Sequence, residues 1–168
     1  MRVADLIPTV TGSYPKDFLQ LVKLVDAHHK NKGEDLVLQL WTAYQYSKNN
    51  HEGQLRKSGR PYFEHCISVA QLLAEWNMDM HTIVGGMLHD CIEDTNASYD
   101  EITKEFGEEV AELVDGVTKL GGVEFDSRKE KQAENLMKMF LSMAKDLRVV
   151  IIKFADRLHN MRTIEYLP

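Results

Sequence analysis

The stretch Leu88-His89-Asp90-Cys91-Ile92-Glu93-Asp94-Thr95 sets one imidazole and three carboxylates within six positions. On a helix, side chains three or four apart share a face, so His89 sides with Glu93, and Asp90 with both Glu93 and Asp94. The run before it, Thr82-Ile83-Val84-Gly85-Gly86-Met87-Leu88, is apolar enough to be core. Unpaired charge is very costly to bury. A bound metal ion is the most economical way to satisfy such a cluster at the end of a buried helix. The chain therefore reads first as a metal-dependent enzyme.

Imidazole and carboxylate together suit a hard-to-intermediate divalent ion. His89 and Asp90 supply two ligands, and the others must come from other helices. His65 stands in Tyr62-Phe63-Glu64-His65-Cys66-Ile67, ahead of an apolar face made by Ile67, Val69, Ala70 and Leu73. Asp156 stands in Ile151-Ile152-Lys153-Phe154-Ala155-Asp156-Arg157-Leu158. Taken singly, such a histidine is more often a satisfied core residue, and such an aspartate is more often paired with an arginine, here Arg157. The set His65, His89, Asp90 and Asp156 gains its weight from mutual consistency.

If His89 and Asp90 hold the ion, Glu93 and Asp94 are free to orient water or move its proton. The alternative is a solvated helix C-terminus, a placement in which acid opposes the helix dipole. Arg56-Lys57-Ser58-Gly59 offers two cations, a hydroxyl and a glycine, a natural anion cradle; read alone it is a solvated turn. Asp156, Asn160 and Thr163 fall at i, i+4 and i+7, one stripe that could carry a ligand and then polar substrate contacts. His28, His29, His51, His81 and His159 show no comparable case as ligands.

Behind these residues stands a chain of 168 residues, long enough for one domain with a real core. Hydrophobic residues make up 43%, which argues against disorder. The net charge of −6 argues against nucleic-acid binding, although a few local cations suffice for a small phosphorylated ligand. No apolar run approaches the ~20 residues that span a bilayer, and the N-terminus lacks a signal-peptide core. Cys66 and Cys91 read as free buried thiols in a reducing cytoplasm.

A period near 3.6 dominates, so the chain is expected to be helical throughout. Helices are expected over 15–30, 34–50, 62–76, 80 onward through the octapeptide, 99–106 and 108–118. A loop is expected over 51–61 and a mobile one over 119–126. Asp79 is expected to cap the helix carrying the octapeptide, and Ser98 with Glu101 to form a capping box. Ser127 with Glu130 is expected to open a helix to Lys145, and a last helix runs from Leu147 to Tyr166. No repeat or interdomain linker is visible.

Residues 51–168 closely resemble the hydrolase domain of the RelA/SpoT homologues, the alarmone enzymes of the stringent response. The resemblance rests on four stretches in order: His-Glu-Gly-Gln-Leu-Arg-Lys-Ser-Gly (51–59), Leu-His-Asp-Cys-Ile-Glu-Asp-Thr (88–95), Leu-Val-Asp-Gly-Val-Thr-Lys-Leu (113–120) and Lys-Phe-Ala-Asp-Arg-Leu-His-Asn-Met-Arg-Thr (153–163). It implies an all-α HD-superfamily bundle over 1–168, with Mn²⁺ held by His65, His89, Asp90 and Asp156. It further implies catalytic Glu93 and Asp94, and nucleotide contacts from Arg56, Lys57, Ser58, Asn160 and Thr163. The implied reaction removes the 3′-pyrophosphate of the guanine nucleotide alarmones ppGpp or pppGpp, with no nucleic acid or membrane as partner. Cys66 stands where the family commonly has proline, and Arg60 where it frequently has acid. The chain ends just after the last motif, so the resemblance implies truncation of the hydrolase domain, with no synthetase domain present. Further domains in a parent protein, or self-association through apolar surface, are then expected. The alternative is the N-terminal portion of a bifunctional or mainly synthetic GTP pyrophosphokinase, in which this domain is a weakly active or regulatory alarmone-binding module.

Overall fold

The computed structural model describes residues 14–28, 34–121 and 146–163. Among them are eight helices: α1 (Lys16–His28), α2 (Glu34–Asn50), α3 (Phe63–Glu75), α4 (Met80–Leu88), α5 (Cys91–Asp94), α6 (Tyr99–Phe106), α7 (Glu108–Gly121) and α8 (Leu147–Arg162). An isolated antiparallel bridge between Leu55 and Pro61 closes the loop before α3. The all-α expectation holds over these residues. The expected helix from Ser127 to Lys145 and the end of the last helix at Tyr166 lie outside the described residues, as does most of the loop expected over 119–126; α7 continues through 119–121.

Helix α4 is the hub, packing against α2, α3, α7 and α8. Every residue from Thr82 to Leu88 is buried, which fits a helix apolar on all sides. Its start is fixed by Asp79, whose carboxylate accepts from the Thr82 amide at 3.0 Å and the Thr82 hydroxyl at 2.6 Å. The preceding turn is also specified. Asn77 adopts φ +57°, and the amides of Asn77 and Met78 return to the Ala74 and Leu73 carbonyls, each at 3.0 Å. This arrangement ends a helix and reverses the chain. The expected capping box at Ser98 and Glu101 is present.

Where α3 meets α4 the backbones come close. A Cβ on Gly86 would lie 2.2 Å from Leu73 Cδ1, in a position where Leu73 is fully buried. On the far side of α3, the rings of Phe18, Trp41, Tyr44 and Phe63 bring in α1 and α2; the Tyr44 and Phe63 centroids stand 4.7 Å apart, edge to face. Helix α8 is capped by Asp146, which accepts from the Arg148 amide at 2.8 Å. The Arg148 guanidinium then reaches Asp146 and Glu109, both at 2.6 Å, and Asp79 at 3.4 Å. One side chain thus ties the start of α8 to the cap of α4 and the first turn of α7.

The main departure from expectation is within the octapeptide. Helix α4 stops at Leu88, His89 and Asp90 form a turn, and α5 follows with four residues. The Asp90 backbone, at φ −99° and ψ −1°, bends the path while the Asp94 amide still reaches the Asp90 carbonyl at 2.8 Å.

Replacing Gly86 by alanine should destabilise the protein by about 1–3 kcal/mol through overpacking against Leu73. Equilibrium urea unfolding of Gly86→Ala against the parent checks this.

Candidate metal centre and substrate cleft

Three elements converge. The second residue after Phe63 in α3 is His65, the turn after α4 gives His89 and Asp90, and the middle of α8 gives Asp156. Their exposures are 2% for His65, 0% for His89, 8% for Asp90 and 5% for Asp156. One ligand atom each from His65, His89 and Asp156 lie within 4.8 Å of one another. Asp90 joins them, with Oδ2 2.9 Å from His89 Nε2 and 3.8 Å from His65 Nε2. The four candidate ligands are therefore together.

The geometry at His89 tests whether a cation fits. Its Nδ1 lies 2.7 Å from the Gly86 carbonyl. A carbonyl only accepts, so Nδ1 carries the proton and Nε2 of the neutral ring presents a lone pair. That Nε2 is fully buried and has no hydrogen-bond partner, although Asp90 Oδ2 stands beside it out of alignment. A buried lone pair facing carboxylate oxygens is an arrangement that a divalent cation satisfies. Backbone support of the far nitrogen is the usual way a metal-binding histidine is oriented.

The electrostatics follow. Burial alone would raise Asp156, but the neighbouring His65 imidazole and the charges of His89 and Lys153 outweigh it and hold the carboxyl at about 2. Asp90 is likewise lowered against burial, by His89 and the Tyr62 hydroxyl. Burial lowers His65, whereas His89 is raised because the Asp90 and Asp156 charges outweigh its burial. Asp156 does not pair with Arg157. Its contacts are His65 Nε2 and Lys153, both at 3.3 Å, and Asn160, whose Nδ2 donates at 2.6 Å.

Glu93 and Asp94 end α5 and are exposed. The turn at His89–Asp90 interrupts the helix expected through the octapeptide, so the alternative reading of both as the end of one long helix against its dipole does not describe them. A helix of four residues has little dipole to oppose. Tyr62 links the two halves of the octapeptide: its hydroxyl lies 2.8 Å from Asp90 Oδ2 and 3.0 Å from Asp94 Oδ2. It has one proton for two acceptors. Burial first, then these two carboxylates, push the phenol well above its usual range.

Next to the ligands opens a cleft of about 440 Å³ whose walls include Arg56, Lys57, Ser58, Asn160 and Thr163. Gly59 makes the tight loop possible: its φ is +78°, and its amide returns to the Arg56 carbonyl at 2.8 Å. Lys57 is exposed and Ser58 half-buried. Arg56 is not a free cation; it donates to Asn160 Oδ1 at 2.5 Å and approaches His159 Nδ1 at 3.3 Å. The Thr163 hydroxyl bonds back to the helix carbonyls of His159 and Asn160. Arg60 pairs with Glu64, and both line the cleft with Arg157.

Sequence reasoning passed over Tyr62, Lys153 and His159. Each sits three residues from a ligand, Tyr62 before His65, and Lys153 and His159 on either side of Asp156. That helical spacing was the available signal. His159 shows no case as a ligand in the sequence, yet its Nδ1 is 2.7 Å from His65 Nδ1.

Residues 43–168 match the family described as HD domain, and the chain belongs to that family. Within it the likeness is to RelA/SpoT proteins. The chain is 50% identical over 131 residues to the bifunctional (p)ppGpp synthase/hydrolase SpoT of Escherichia coli, covering 78% of this chain and 19% of that protein. It is 49% identical over 146 residues to a GTP pyrophosphokinase of Myxococcus xanthus, covering 85% and 19%. A GTP pyrophosphokinase of Streptomyces coelicolor is 46% identical over 166 residues, covering 99% and 19%, so the likeness extends into residues 1–50 beyond the motifs. A solved structure of a metazoan orthologue of SpoT, described as hydrolysing ppGpp and acting in starvation responses, covers 92% of this chain and 74% of that one, with 30% identity and a TM-score of 0.60. The chain spans about a fifth of the length of these curated relatives.

Because His89 is raised above its ordinary range, a divalent ion must displace its proton near and above pH 6.5. Apparent affinity for the ion should therefore fall as pH falls through that range, with up to about one proton released per ion bound. Calorimetric titration in buffers of different ionisation enthalpy checks both.

Proposed function

We propose that this chain is a hydrolase domain that uses a divalent ion to remove the 3′-pyrophosphate of ppGpp or pppGpp, giving GDP or GTP and pyrophosphate. The observation that carries this reading is the orphaned Nε2 of His89 among His65, Asp90 and Asp156, with His65 also on the wall of a cleft that Arg56 and Lys57 line. Relatives named guanosine-3′,5′-bis(diphosphate) 3′-pyrophosphohydrolase support the substrate, including one from Vibrio cholerae that is 45% identical over 141 residues. A mixed set of two imidazoles and two carboxylates suits Mn²⁺. An ion held by His65, His89, Asp90 and Asp156 supplies Lewis acidity and lowers the pKa of water.

The residues divide the remaining work. Lys57 and Ser58 face the phosphates with an ammonium and a hydroxyl, Arg56 adds a planar donor fork, and Asn160 and Thr163 offer polar contacts from α8. Hydrolysis breaks the bond between the 3′-oxygen and its phosphorus. Water must lose a proton and the 3′-oxygen must gain one. Glu93 is suited to that transfer: partial burial of the exposed side chain and the neighbouring Asp90 and Asp94 raise its carboxyl against the pull of Lys153. Asp94 stands next to it, tethered through Tyr62 to Asp90, and orients the attacking water.

Residues 1–168 act as one such domain in this reading, in the cytoplasm where guanine nucleotides are made and used. No helix among the described residues is long and apolar enough to cross a membrane. Relatives named GTP pyrophosphokinase favour a parent protein that also makes the alarmone. Retention of every candidate ligand and of Glu93 and Asp94 favours hydrolysis over mere binding for this domain.

Metal content measured together with pyrophosphate release from ppGpp tests the function, with other nucleotides run in parallel. Asp90→Ala should lose both metal and turnover. Glu93→Gln should keep the metal and lose turnover by about 10²–10⁴-fold; undiminished hydrolysis in that variant would overturn its role.

A further inference from the structure

We propose that His159 is a positioning residue that fixes which nitrogen of His65 carries the hydrogen, leaving the Nε2 lone pair toward the metal pocket, and that Arg56 of the cleft loop holds it to that task. The proposal rests on the metal-site reading above and goes beyond it.

The argument concerns one hydrogen. His65 Nδ1 and His159 Nδ1 are 2.7 Å apart, so one of them donates and the other accepts. With both rings neutral, two assignments are open from this pair alone. In the first, His159 donates, and His65 carries its own hydrogen on Nε2, toward Asp156 Oδ1 at 3.3 Å. In the second, His65 donates from Nδ1, and its Nε2 lone pair is left facing Asp156 and Asp90. Arg56 decides between them. Its Nη1 is 3.3 Å from the same His159 Nδ1, and a guanidinium has donors but no acceptor. A hydrogen on His159 Nδ1 would oppose that guanidinium, so the nitrogen keeps its single lone pair; the closer partner, His65 at 2.7 Å, is the donor to it, and the guanidinium at the longer distance favours that arrangement by its charge. The second assignment is the one in which His65 can ligate.

His89 and His65 are thus oriented by different means. His89 leans on a backbone carbonyl, which nothing short of unfolding removes. His65 leans on a side chain that is half-buried, in α8, and steadied by a loop residue. The other arm of the Arg56 fork runs to Asn160 Oδ1, while Asn160 Nδ2 donates to Asp156. One guanidinium therefore stands behind two of the four candidate ligands, each through a single intermediary.

The test measures binding of Mn²⁺ alone, without nucleotide, and reads the His65 tautomer in the metal-free protein by long-range proton–nitrogen NMR. The parent should show His65 with its hydrogen on Nδ1. His159→Phe keeps the ring and removes the acceptor. It should weaken Mn²⁺ binding about 10–100-fold, with an apo melting temperature near that of the parent. His159→Asn puts an amide oxygen close to the lost Nδ1 and should recover most of that affinity. Should His159→Phe fail to fold, Arg56→Met serves instead: it frees His159 Nδ1 to donate and should leave His65 as a mixture of tautomers. Three results overturn the proposal and leave the metal site intact: a parent His65 with its hydrogen on Nε2, unchanged Mn²⁺ affinity in His159→Phe, or equal losses in His159→Phe and His159→Asn. A parent that takes up no Mn²⁺ overturns the metal-site reading, and the proposal with it.

Discussion

The hydrogen bond from His89 Nδ1 to the Gly86 carbonyl is the interaction on which the rest depends. It forms because α4 ends at Leu88 and the chain turns just where that carbonyl has no helical partner. It commits one ring nitrogen and leaves the other, buried, without one. A helix end normally settles such debts with water or a cap. Here the end is packed among α2, α3, α7 and α8, so the imidazole serves as cap and its second nitrogen is passed on to the site. The close approach of α3 at Gly86 then brings His65 within reach of the same point.

Much of this was legible in the sequence because its causes are local. Asp79 before an apolar run, and Ser98 three before Glu101, specify helix starts within one turn, and both caps formed as expected. The four candidate ligands could be named because charged side chains on apolar segments need a reason. The turn inside the octapeptide could not be read. His89 and Asp90 have no residue type that ends a helix; the turn lies where the buried helix end packs among its neighbours, a tertiary effect. The three neighbours Tyr62, Lys153 and His159 were missed for a related cause. Their importance lies in contacts between α3, α5 and α8, and a helical spacing shows which face they share without showing what that face meets.

Helix α8 carries an unusual share of the site. Its start is anchored by Arg148 to α4 and α7, its middle supplies Asp156, and its last turns wall the cleft. The stripe read as a ligand followed by substrate contacts is, in the folded chain, first a set of internal partners. Asn160 holds Asp156, and Thr163 bonds back onto its own helix. Such groups serve a ligand only by exchanging one hydrogen bond for another, which costs less than ordering a free side chain.

The bend at His89–Asp90 also bears on how the chain can vary. Between the last ligand and the two exposed carboxylates lie two residues, Cys91 and Ile92, the first fully buried and the second packed against the core. Adding or deleting one residue there would rotate Glu93 and Asp94 about 100° around the short helix and expel Cys91 from its place. The residue count of this segment is therefore under a stricter constraint than the identity of most residues in it.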